Sequence, residues 1–324
     1  MKKRAERNRT LICSKDEIDR LSTYIMQVNT SLSMEEISEK IISGDTFELI
    51  EKFPEKFVDL LILDPPYNIS KDYNGDLFRE KEKEEYQNWF SHIVKMLKPT
   101  LKLNATVYVC SDWKTSILIA PILASNFCIQ NRITWEREKG RGAKTNWKNN
   151  TEDIWFCTVS NNYYFNVDVV KLRRKVIAPY KINGEPKDWS KEKDGNYRLT
   201  YPSNIWTDIS IPFWSMPENT DHPTQKPEKL IAKLILASSK EGDFVFDPFL
   251  GSGTTAVVAK KLGRLFCGIE LNREYCCWAL KRIEISKTNR NIQGYANDVF
   301  WERNSLSEQS RSIKQDKHQY DLFS

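Results

Sequence analysis

Short apolar runs alternate with helix-like stretches along most of the chain, a pattern typical of an α/β protein. Continuous apolar runs predict buried strands at residues 57–63, 105–110, 244–246 and 264–270. Apolar spacings of three and four predict helices at residues 84–97, 114–124, 226–238 and 254–262. Two further strands are predicted at residues 131–135 and 153–158, paired as a hairpin at the edge of the sheet.

The same pattern divides the chain into five segments. Residues 1–42 are polar and helical in pattern, and we expect them to form an extension outside the core. Residues 43–166 and 222–300 carry the alternation of strands and helices. Residues 167–221 hold many Pro, Gly and polar residues and predict an irregular insert. Residues 301–324 are charged and serine-rich and predict a mobile tail.

The apolar run at residues 57–63 ends at the tetrapeptide Asp64-Pro65-Pro66-Tyr67. Proline cannot donate to a sheet ladder, and two prolines in a row hold the backbone in an extended turn. Such a turn places a carboxylate, backbone carbonyls and an aromatic ring around one point. It predicts a receptacle for a planar group that carries an amino function. A rigid loop closing a strand is the structural alternative, but it explains only the prolines.

A second motif lies downstream, where Asp247 ends an apolar strand and Gly251 and Gly253 precede a helix. The glycines allow a sharp turn and a close approach of the backbone to a ligand. Glu270 ends the next strand about 20 residues later, a position suited to hydrogen bonds with a ribose. This strand–turn–helix–strand context predicts a nucleoside-binding half.

The second motif also narrows the choice of cofactor. A dinucleotide fingerprint has a third glycine where Ala256 stands, and Asp247 would repel a pyrophosphate at the helix N-terminus. The chain also lacks the Gly-x-x-x-x-Gly-Lys-Ser/Thr phosphate loop. S-adenosylmethionine has no phosphate and carries an ammonium group that favours a nearby carboxylate. We therefore expect S-adenosylmethionine as the cofactor.

Together, Asp64-Pro-Pro-Tyr67 and Asp247-Pro-Phe-x-Gly-Ser-Gly-Thr-Thr255 resemble the DNA amino-methyltransferases that modify adenine N6 or cytosine N4. The motif order is similar to that of their β group, in which the catalytic motif comes first, target recognition second and the glycine motif last. Further matches are Gly44-Asp45, residues 151–157, residues 164–166 and the His-Pro-Thr-Gln-Lys-Pro stretch at residues 222–227. The resemblance covers about residues 43–286.

The resemblance implies a Rossmann-like, mixed and mostly parallel seven-stranded methyltransferase fold with a circularly permuted motif order. Residues 43–166 would form its catalytic half and residues 222–300 its cofactor-binding half. Residues 167–221 would be an irregular target-recognition insert. Both motifs would lie at the carboxyl ends of parallel strands, where strand order reverses, if the strands at 57–63 and 244–246 are neighbours.

The implied activity is sequence-specific methylation of adenine N6 in double-stranded DNA, after the base has been flipped out, within a restriction–modification system. Asp at the first motif position favours adenine in this family. Cytosine N4 is the alternative, because both bases offer the same amine geometry. In a different class, the chain would be a non-catalytic partner that binds DNA and cofactor. The intact Asp64 motif argues against a silent subunit.

The resemblance assigns the catalytic roles to one tetrapeptide. Asp64 and the Pro65 carbonyl would accept hydrogen bonds from the target amine and localise its lone pair on nitrogen, which then attacks the methyl group in line. Pro66 would stiffen the turn, and Tyr67 would stack on the base. The chemistry requires no metal and no covalent intermediate.

The resemblance also implies a set of cofactor-binding residues. They are Asp45, Thr224, Lys226, Asp247, Phe249, Gly251, Ser252, Gly253 and Glu270. In this set Asp45 would contact the adenine amino group, Glu270 the ribose, and Thr224 and Lys226 the methionine carboxylate. Three of the charged residues have structural alternatives. Asp45 could cap a helix that starts at Thr46, and Lys226 or Glu270 could be solvated charges.

Basic residues are dense between residues 136 and 181, where ten Lys or Arg stand against five acids. The mixture of glycine, cations and amides predicts a loop that grips phosphates. The candidate DNA-binding residues are Lys139, Arg141, Lys144, Lys148, Arg173 and Arg174. A solvated face is the alternative interpretation of such a charge run.

Composition agrees with a cytoplasmic enzyme of one large core. The 324 residues are 40% hydrophobic, and they include no apolar run long enough to span a bilayer and no signal peptide. The net charge of +5 hints at a polyanionic partner. Seven cysteines without a Cys-x-x-Cys pair suggest reduced thiols, and three scattered histidines suggest no metal site.

The tail adds one candidate partner. Gln319, Tyr320, Asp321, Leu322 and Phe323 resemble the short peptides by which bacterial proteins dock on the replication sliding clamp. A terminus that folds back on its own domain is the alternative. Related enzymes often dimerise, so a homodimer is a candidate assembly, although no self-complementary apolar stripe requires it.

Overall fold

In the computed structural model of the protein, the described residues are 5–73, 75–137, 145–176, 180–192, 195–303, 305 and 308. The helices are α1 (Lys15–Ser22), α2 (Met34–Ile37), α3 (Thr46–Leu49), α4 (Lys83–Leu97), α5 (Trp113–Asn126), α6 (Glu228–Ser238), α7 (Thr254–Lys261) and α8 (Arg273–Ser286).

The strands of the first half are β1 (Lys40–Ser43), β2 (Val58–Leu63), β3 (Lys71–Tyr73), β4 (Asp76–Phe78), β5 (Leu101–Ser111), β6 (Cys128–Glu136), β7 (Thr151–Thr158) and β8 (Leu172–Lys175). Those of the second half are β9 (Lys181–Ile182), β10 (Glu185–Pro186), β11 (Ser190–Glu192), β12 (Gly195–Thr200), β13 (Ile205–Trp206), β14 (Phe244–Asp247), β15 (Leu265–Glu270), β16 (Tyr295–Ala296) and β17 (Val299–Trp301).

Eight strands form the central sheet, in the order β1-β15-β14-β2-β5-β7-β6-β13. The strands from β1 to β5 in this order are parallel, whereas β7 is antiparallel to both β5 and β6. In the pairing of β14 with β2, Val245 lies opposite Leu60 and Phe246 opposite Leu61. The two motif-bearing strands are therefore neighbours, as the sequence analysis required.

Helices cover both faces of this sheet because the side chains of β2 alternate between two apolar clusters. Leu60 and Ile62 pack in the cluster that includes residues of α6, α7 and α8. Leu61 and Leu63 pack in the cluster that includes residues of α4 and α5. The predicted mixed, mostly parallel α/β fold is confirmed. The two-residue strand β13, parallel to β6, adds an eighth strand to the seven expected.

The predicted helices and strands agree with the structure to within a few residues at most ends. Helix α5 begins where the Asp112 side chain accepts a hydrogen bond from Thr115 N, and α6 begins directly after Pro227. The predicted edge hairpin is present as β6 and β7, but β7 lies inside the sheet between β5 and β6.

The N-terminal segment is packed into the core, which corrects the expectation of an extension outside it. Leu21 and Ile25 belong to one apolar cluster, and Val28 and Ile37 to the other. The expected boundary at residue 42 falls inside β1, an edge strand of the central sheet. The segment reads as polar because α1 buries only a narrow stripe against α8.

The insert is also more regular than expected. Its strands β8, β11 and β12 join β16 and β17 from the end of the chain in a second sheet, in the order β11-β12-β8-β17-β16. These strands were hard to predict from the sequence because four of the five have four residues or fewer and proline and glycine lie among them. Residues 309–324, which include the predicted clamp peptide, lie outside the described residues.

A buried charge cluster links this second sheet to α6. Asp208 accepts hydrogen bonds from Lys233 Nζ at 2.8 Å to both carboxylate oxygens, and Lys229 Nζ lies 2.7 Å from the same carboxylate. Lys229 also donates to the Trp301 carbonyl. Burial would raise the pKa of Asp208, but the two ammonium groups lower it to about 2. The ionised Asp208 carboxylate therefore contributes stability above about pH 4, and this contribution is lost as the pH falls toward 2. Burial lowers the pKa of Lys229 to about 8 and also lowers the pKa of Lys233, so the lysines do not add to this contribution.

We expect Asp208→Asn to lower the free energy of unfolding by about 3 kcal/mol or more, because it leaves two buried ammonium groups without a counter-charge. Urea unfolding at neutral pH measures the change. Asp188→Asn is the control, since Asp188 forms an exposed ion pair with Arg198 at 3.5 Å and should change stability by less than ~1 kcal/mol. Equal losses in the two variants would contradict the assigned role of the cluster.

Candidate active site

Four acidic residues end, or closely follow, four adjacent parallel strands. Asp45 follows β1, Glu270 ends β15, Asp247 ends β14 and Asp64 follows β2. These strands are consecutive in the sheet and point the same way, so the four acids share one edge. Ligands of open parallel sheets bind at this edge.

A cavity of about 490 Å³ opens at this edge. It is lined by all of the predicted catalytic and cofactor-binding residues except Gly253. Those residues are Asp45, Asp64, Pro65, Pro66, Tyr67, Thr224, Lys226, Asp247, Phe249, Gly251, Ser252 and Glu270. The structure thus brings the two distant motifs to one site.

Hydrogen bonds with α4, with α5 and within the turn itself hold the Asp-Pro-Pro-Tyr turn. The Tyr86 hydroxyl of α4 donates to the Pro66 carbonyl at 2.8 Å. The Tyr67 hydroxyl lies 3.1 Å from Asp64 Oδ1. On the far side of the turn, Asn68 N donates to Thr115 Oγ1 of α5 at 3.0 Å. These bonds keep the Asp64 carboxylate and the Tyr67 ring in one geometry before any ligand arrives.

Lys226 lies beside this turn. Its Nζ donates to Asp64 Oδ1 at 2.8 Å and to Oδ2 at 2.7 Å, and it lies 3.1 Å from the Tyr67 hydroxyl. The resemblance implied that Lys226 would contact the methionine carboxylate, and this stays a prediction. In the structure its ammonium group lies on the Asp64 carboxylate. The alternative of a solvated charge is wrong, since the side chain is only 8% exposed.

Glu152, at the start of β7, completes this group, and the sequence analysis did not assign it a role. Its Oε2 lies 3.4 Å from Lys226 Nζ and 3.2 Å from the Tyr67 hydroxyl. Its Oε1 lies 2.7 Å from Arg137. An acid at the start of an apolar strand is a weak signal, and only the antiparallel direction of β7 brings Glu152 to this edge.

Two buried carboxyl groups of the site, Asp64 and Asp247, have shifted pKa values. Burial raises the pKa of Asp64, an effect that Lys226 opposes and Glu152 reinforces. Burial raises the pKa of Asp247 to about 7, although Thr255 Oγ1 and Phe249 N donate to its oxygens at 2.6 and 3.0 Å. Such shifts are common where charge is held ready for a ligand.

The glycine turn is shaped by contacts that the sequence did not reveal. Gly251 N donates to Glu270 Oε2 at 2.7 Å, and Asn272 N donates to Oε1 at 2.8 Å, so Glu270 is a structural anchor of the turn. Asp45 accepts from Phe47 N at 2.8 Å and therefore caps α3 while it lines the cavity. The alternative prediction, that Asp45 caps a helix starting at Thr46, is therefore confirmed.

Gly253 serves helix packing rather than a close approach to ligand, which corrects the sequence analysis. Its φ is 84°, and a Cβ there would lie 2.4 Å from Ala279 Cβ of α8. Gly251, with φ 56°, faces the cavity, and a Cβ there would lie 3.0 Å from His222 Nε2. From behind, Arg282 of α8 donates to the Ser252 carbonyl at 2.9 Å.

Aromatic side chains form other walls of the cavity; Phe249 was predicted as a site residue, whereas Trp89, Tyr73 and Tyr275 were not. Trp89 lies between Phe47 and Phe249, with ring centroids 5.7 and 6.3 Å away. Tyr73 extends from the β3–β4 hairpin. His222 packs edge-on against Tyr275 at 4.5 Å. Burial and the nearby Lys226 lower the pKa of His222 to about 3, so the ring is neutral near pH 7.

The structure describes three of the six predicted DNA-binding residues, and these three differ in exposure. Lys139, Arg141 and Lys144 lie outside the described residues. Lys148 is exposed in the segment between β6 and β7 that leads to Glu152. Arg173 does not face solvent freely, because its guanidinium lies 3.4 Å from the centre of the Tyr197 ring and bonds Glu192 at 2.5 Å. Its side chain is 13% exposed, so it is a structural element of the second sheet.

Arg174 is half-buried on the same strand, β8, and its Nε is enclosed without a hydrogen-bond partner among the described residues.

Within the part of the chain that the structure describes, no three His, Cys, Asp or Glu side chains are grouped to hold a metal ion. Among the described helices, none has the length and apolar character needed to cross a membrane.

Comparisons with known proteins match this arrangement. The family described as DNA methylase, of the N6 and N4 type, matches residues 58–281. The DNA adenine methyltransferase YhdJ of Escherichia coli (strain K12) is 34% identical over 253 residues, which cover 76% of this chain and 83% of YhdJ. The type II methyltransferase M.HpaI of Haemophilus parainfluenzae is 32% identical over 254 residues, covering 76% of this chain and 75% of M.HpaI.

Solved structures agree on the fold. The PvuII DNA methyltransferase (cytosine-N4-specific) is similar with a TM-score of 0.56 and 18% identity, covering 76% of this chain and 91% of that chain. The M1.HpyAVI–SAM complex is similar with a TM-score of 0.53 and 24% identity, covering 75% of this chain and 98% of that chain.

We expect Gly253→Ala to destabilise the protein by about 2–4 kcal/mol, since the new methyl group would overlap Ala279 in a left-handed turn. Gly242→Ala is a matched control, because Gly242 has φ 82° and nothing within 4 Å of the added Cβ. It should cost about 1 kcal/mol. Thermal and urea unfolding compare the two. If Gly253→Ala costs no more than Gly242→Ala, the packing assignment is wrong.

Proposed function

The chain belongs to the family of N6 and N4 DNA methylases, and from this premise we propose that it transfers a methyl group from S-adenosylmethionine to adenine N6 in double-stranded DNA. The observation that carries the proposal is that both motifs line one cavity, with Asp64 and Tyr67 from one motif and Asp247 and Gly251 from the other.

The charge of the cavity fits S-adenosylmethionine. Asp45, Asp64, Asp247 and Glu270 line it, and the one lysine or arginine among the described lining residues is Lys226, which is paired with Asp64. Such a lining favours a ligand with sulfonium and ammonium charges and disfavours a phosphate. When bound, S-adenosylmethionine supplies a methyl group on a sulfonium sulfur. Asp247, Phe249, Gly251 and Glu270 would hold it.

The chain's own residues would activate the amine. The lone pair of an exocyclic amine is drawn into the base ring, which makes the nitrogen a weak nucleophile. Hydrogen bonds from its N–H groups to the Asp64 carboxylate and the Pro65 carbonyl would localise the lone pair on nitrogen. The bond from Tyr86 to Pro66 keeps these acceptors in place, so little reorganisation is needed.

A base inside a duplex cannot reach this cavity, so the target base would be flipped out at a cost of a few kcal/mol. The Tyr67 ring lines the cavity and would stack on the extruded base. Lys148 precedes Glu152 on the same segment and is exposed, which suits contact with phosphates beside the cavity. The insert at residues 167–221 would read the target sequence.

Two features support adenine rather than cytosine. The first motif residue is Asp64, and the relative YhdJ is named as a DNA adenine methyltransferase. Several relatives, M.HpaI and M.BglII among them, are named as type II methyltransferases, which supports a role in restriction–modification.

Two partner predictions from the sequence also remain proposals. One is contact with the sliding clamp through residues 319–323, and the other is a homodimer. Deletion of residues 319–323 should abolish clamp pull-down, while light scattering of the full chain gives the oligomeric state. Unchanged pull-down, or a monomer at working concentration, would remove the corresponding proposal.

We expect the protein to transfer tritium from methyl-labelled S-adenosylmethionine to duplex DNA, and digestion of the product should yield N6-methyladenine. Asp64→Asn should lower the rate by roughly a hundredfold or more while cofactor binding is kept, because one pre-placed charged acceptor is lost. Asp59→Asn is the control, since Asp59 lies on the same strand but pairs with Lys102 at 2.7 Å, away from the cavity. Labelled N4-methylcytosine would reassign the base, and full activity of Asp64→Asn would remove Asp64 from the mechanism.

A further inference from the structure

Two carboxylates compete for one ammonium group in the site. Lys226 Nζ lies 2.8 and 2.7 Å from the two oxygens of Asp64 and 3.4 Å from Glu152 Oε2. The Lys226 and Glu152 side chains are 8% and 4% exposed. Burial would lower the pKa of Lys226, but the two carboxylates raise it above its ordinary value. The ammonium group is therefore charged and has two acceptors within reach.

The ion pair weakens Asp64 as an acceptor for the target amine. Both Asp64 oxygens accept from Lys226, and Oδ1 also lies 3.1 Å from the Tyr67 hydroxyl, so the lone pair left for the amine is on Oδ2. A carboxylate whose charge is shared with an ammonium group is a weaker acceptor than one whose charge is free. Asp64 would therefore bind the amine more strongly if the ammonium group took another position while the base is bound.

Glu152 offers that position. Its Oε1 is held by Arg137 at 2.7 Å, and this bond leaves Oε2 directed to Lys226 and the Tyr67 hydroxyl. A small rotation of a flexible lysine side chain would exchange a bond to Asp64 for one to Glu152. The charge of the group is balanced in both arrangements, since two carboxylates face two cations.

We propose that Glu152 is a positioning residue that receives the ammonium group of Lys226 when the target amine enters, and thereby frees the Asp64 carboxylate for the amine. The inference rests on the proposed methyl transfer at Asp64. Arg137 fixes Glu152, and the Tyr67 hydroxyl lies between the two carboxylates, at 3.1 Å from Asp64 and 3.2 Å from Glu152. The ring that stacks on the base thus lies beside the path of the ammonium group.

The other titratable groups around Asp64 bear on how the site responds to pH. Burial raises the pKa of Asp247 to about 7, so this neighbour of Asp64 gains its negative charge within the range from pH 5 to 9. Other described neighbours are neutral near pH 7. Burial raises the pKa values of Tyr67, Tyr73, Tyr86 and Cys110, and burial with Lys226 lowers the pKa of His222 to about 3. Asp247 titrates in every variant and affects every pH–rate profile. The experiment therefore compares the pH–rate profiles of the variants with each other, rather than interpreting the midpoint of any one profile.

The test compares Glu152→Gln, Lys226→Met and the double variant, using the rate of a single turnover on duplex DNA with saturating tritiated cofactor, from pH 5 to 9. Glu152→Gln should lower the plateau rate roughly tenfold to a hundredfold, because Lys226 then stays on Asp64. It should also move the acid limb of the pH–rate profile, the range where activity is lost at low pH, to lower pH by ~1 unit. The reason is that loss of the Glu152 charge lowers the pKa of Asp64.

Lys226→Met should move the acid limb to higher pH, because loss of the ammonium charge raises the pKa of Asp64. In this background, adding Glu152→Gln should change the plateau rate less than about twofold, since no ammonium group remains to be moved. Equal losses from Glu152→Gln in both backgrounds, or an acid limb that does not move, would overturn the proposal and leave Glu152 a structural residue.

Glu152→Asp covers the case in which Glu152→Gln does not fold. The aspartate keeps the negative charge, but its side chain is one methylene shorter and its carboxylate lies farther from Lys226. The plateau rate should therefore fall, while the acid limb of the pH–rate profile stays in place. An unchanged plateau rate would count against the proposal. The wild-type protein separates the two claims: if it transfers no label to DNA, the proposed function fails, whereas an active wild type with additive variants overturns only the role of Glu152.

Discussion

The site depends on the direct parallel pairing of β14 with β2. Through it, Phe246 lies opposite Leu61, and the acids that end these strands, Asp247 and Asp64, come to one edge although 183 positions separate them in the sequence. The backbone hydrogen bonds that align the strands also set where the cofactor and the target base can meet. The aromatic walls, the glycine turn and the charged group around Lys226 are arranged around this pairing.

Charge placed at that edge has to be compensated, because burial penalises every isolated carboxylate. Three of the four acids show how this is done: Asp247 accepts from Thr255 and Phe249, Glu270 accepts from backbone amides, and Asp64 shares Lys226 with Glu152. The first two arrangements are fixed by the fold. The third has two acceptors for one ammonium group, which makes it the part of the site that can respond to an incoming base.

Several predictions from sequence succeeded because the signal was local. A strand that ends in Asp-Pro-Pro-Tyr and a strand–glycine–helix segment carry their chemistry in adjacent residues, and the structure brings both to one cavity. Predictions failed where a residue's role depends on a distant neighbour. Gly253 packs on Ala279, and Arg173 is enclosed by Tyr197 and bonded to Glu192.

The amino-acid sequence alone determined the fold class, the family and the two motifs, since periodicity and short motifs express backbone conformation and local chemistry. Only the tertiary structure decided which charges meet. The antiparallel direction of β7 brings Glu152 beside Asp64, and the entry into α6 brings Lys226 there from 162 positions away. Electrostatic partners are chosen by distance in space, and that distance is set by how strands are ordered in the sheet rather than by spacing along the chain.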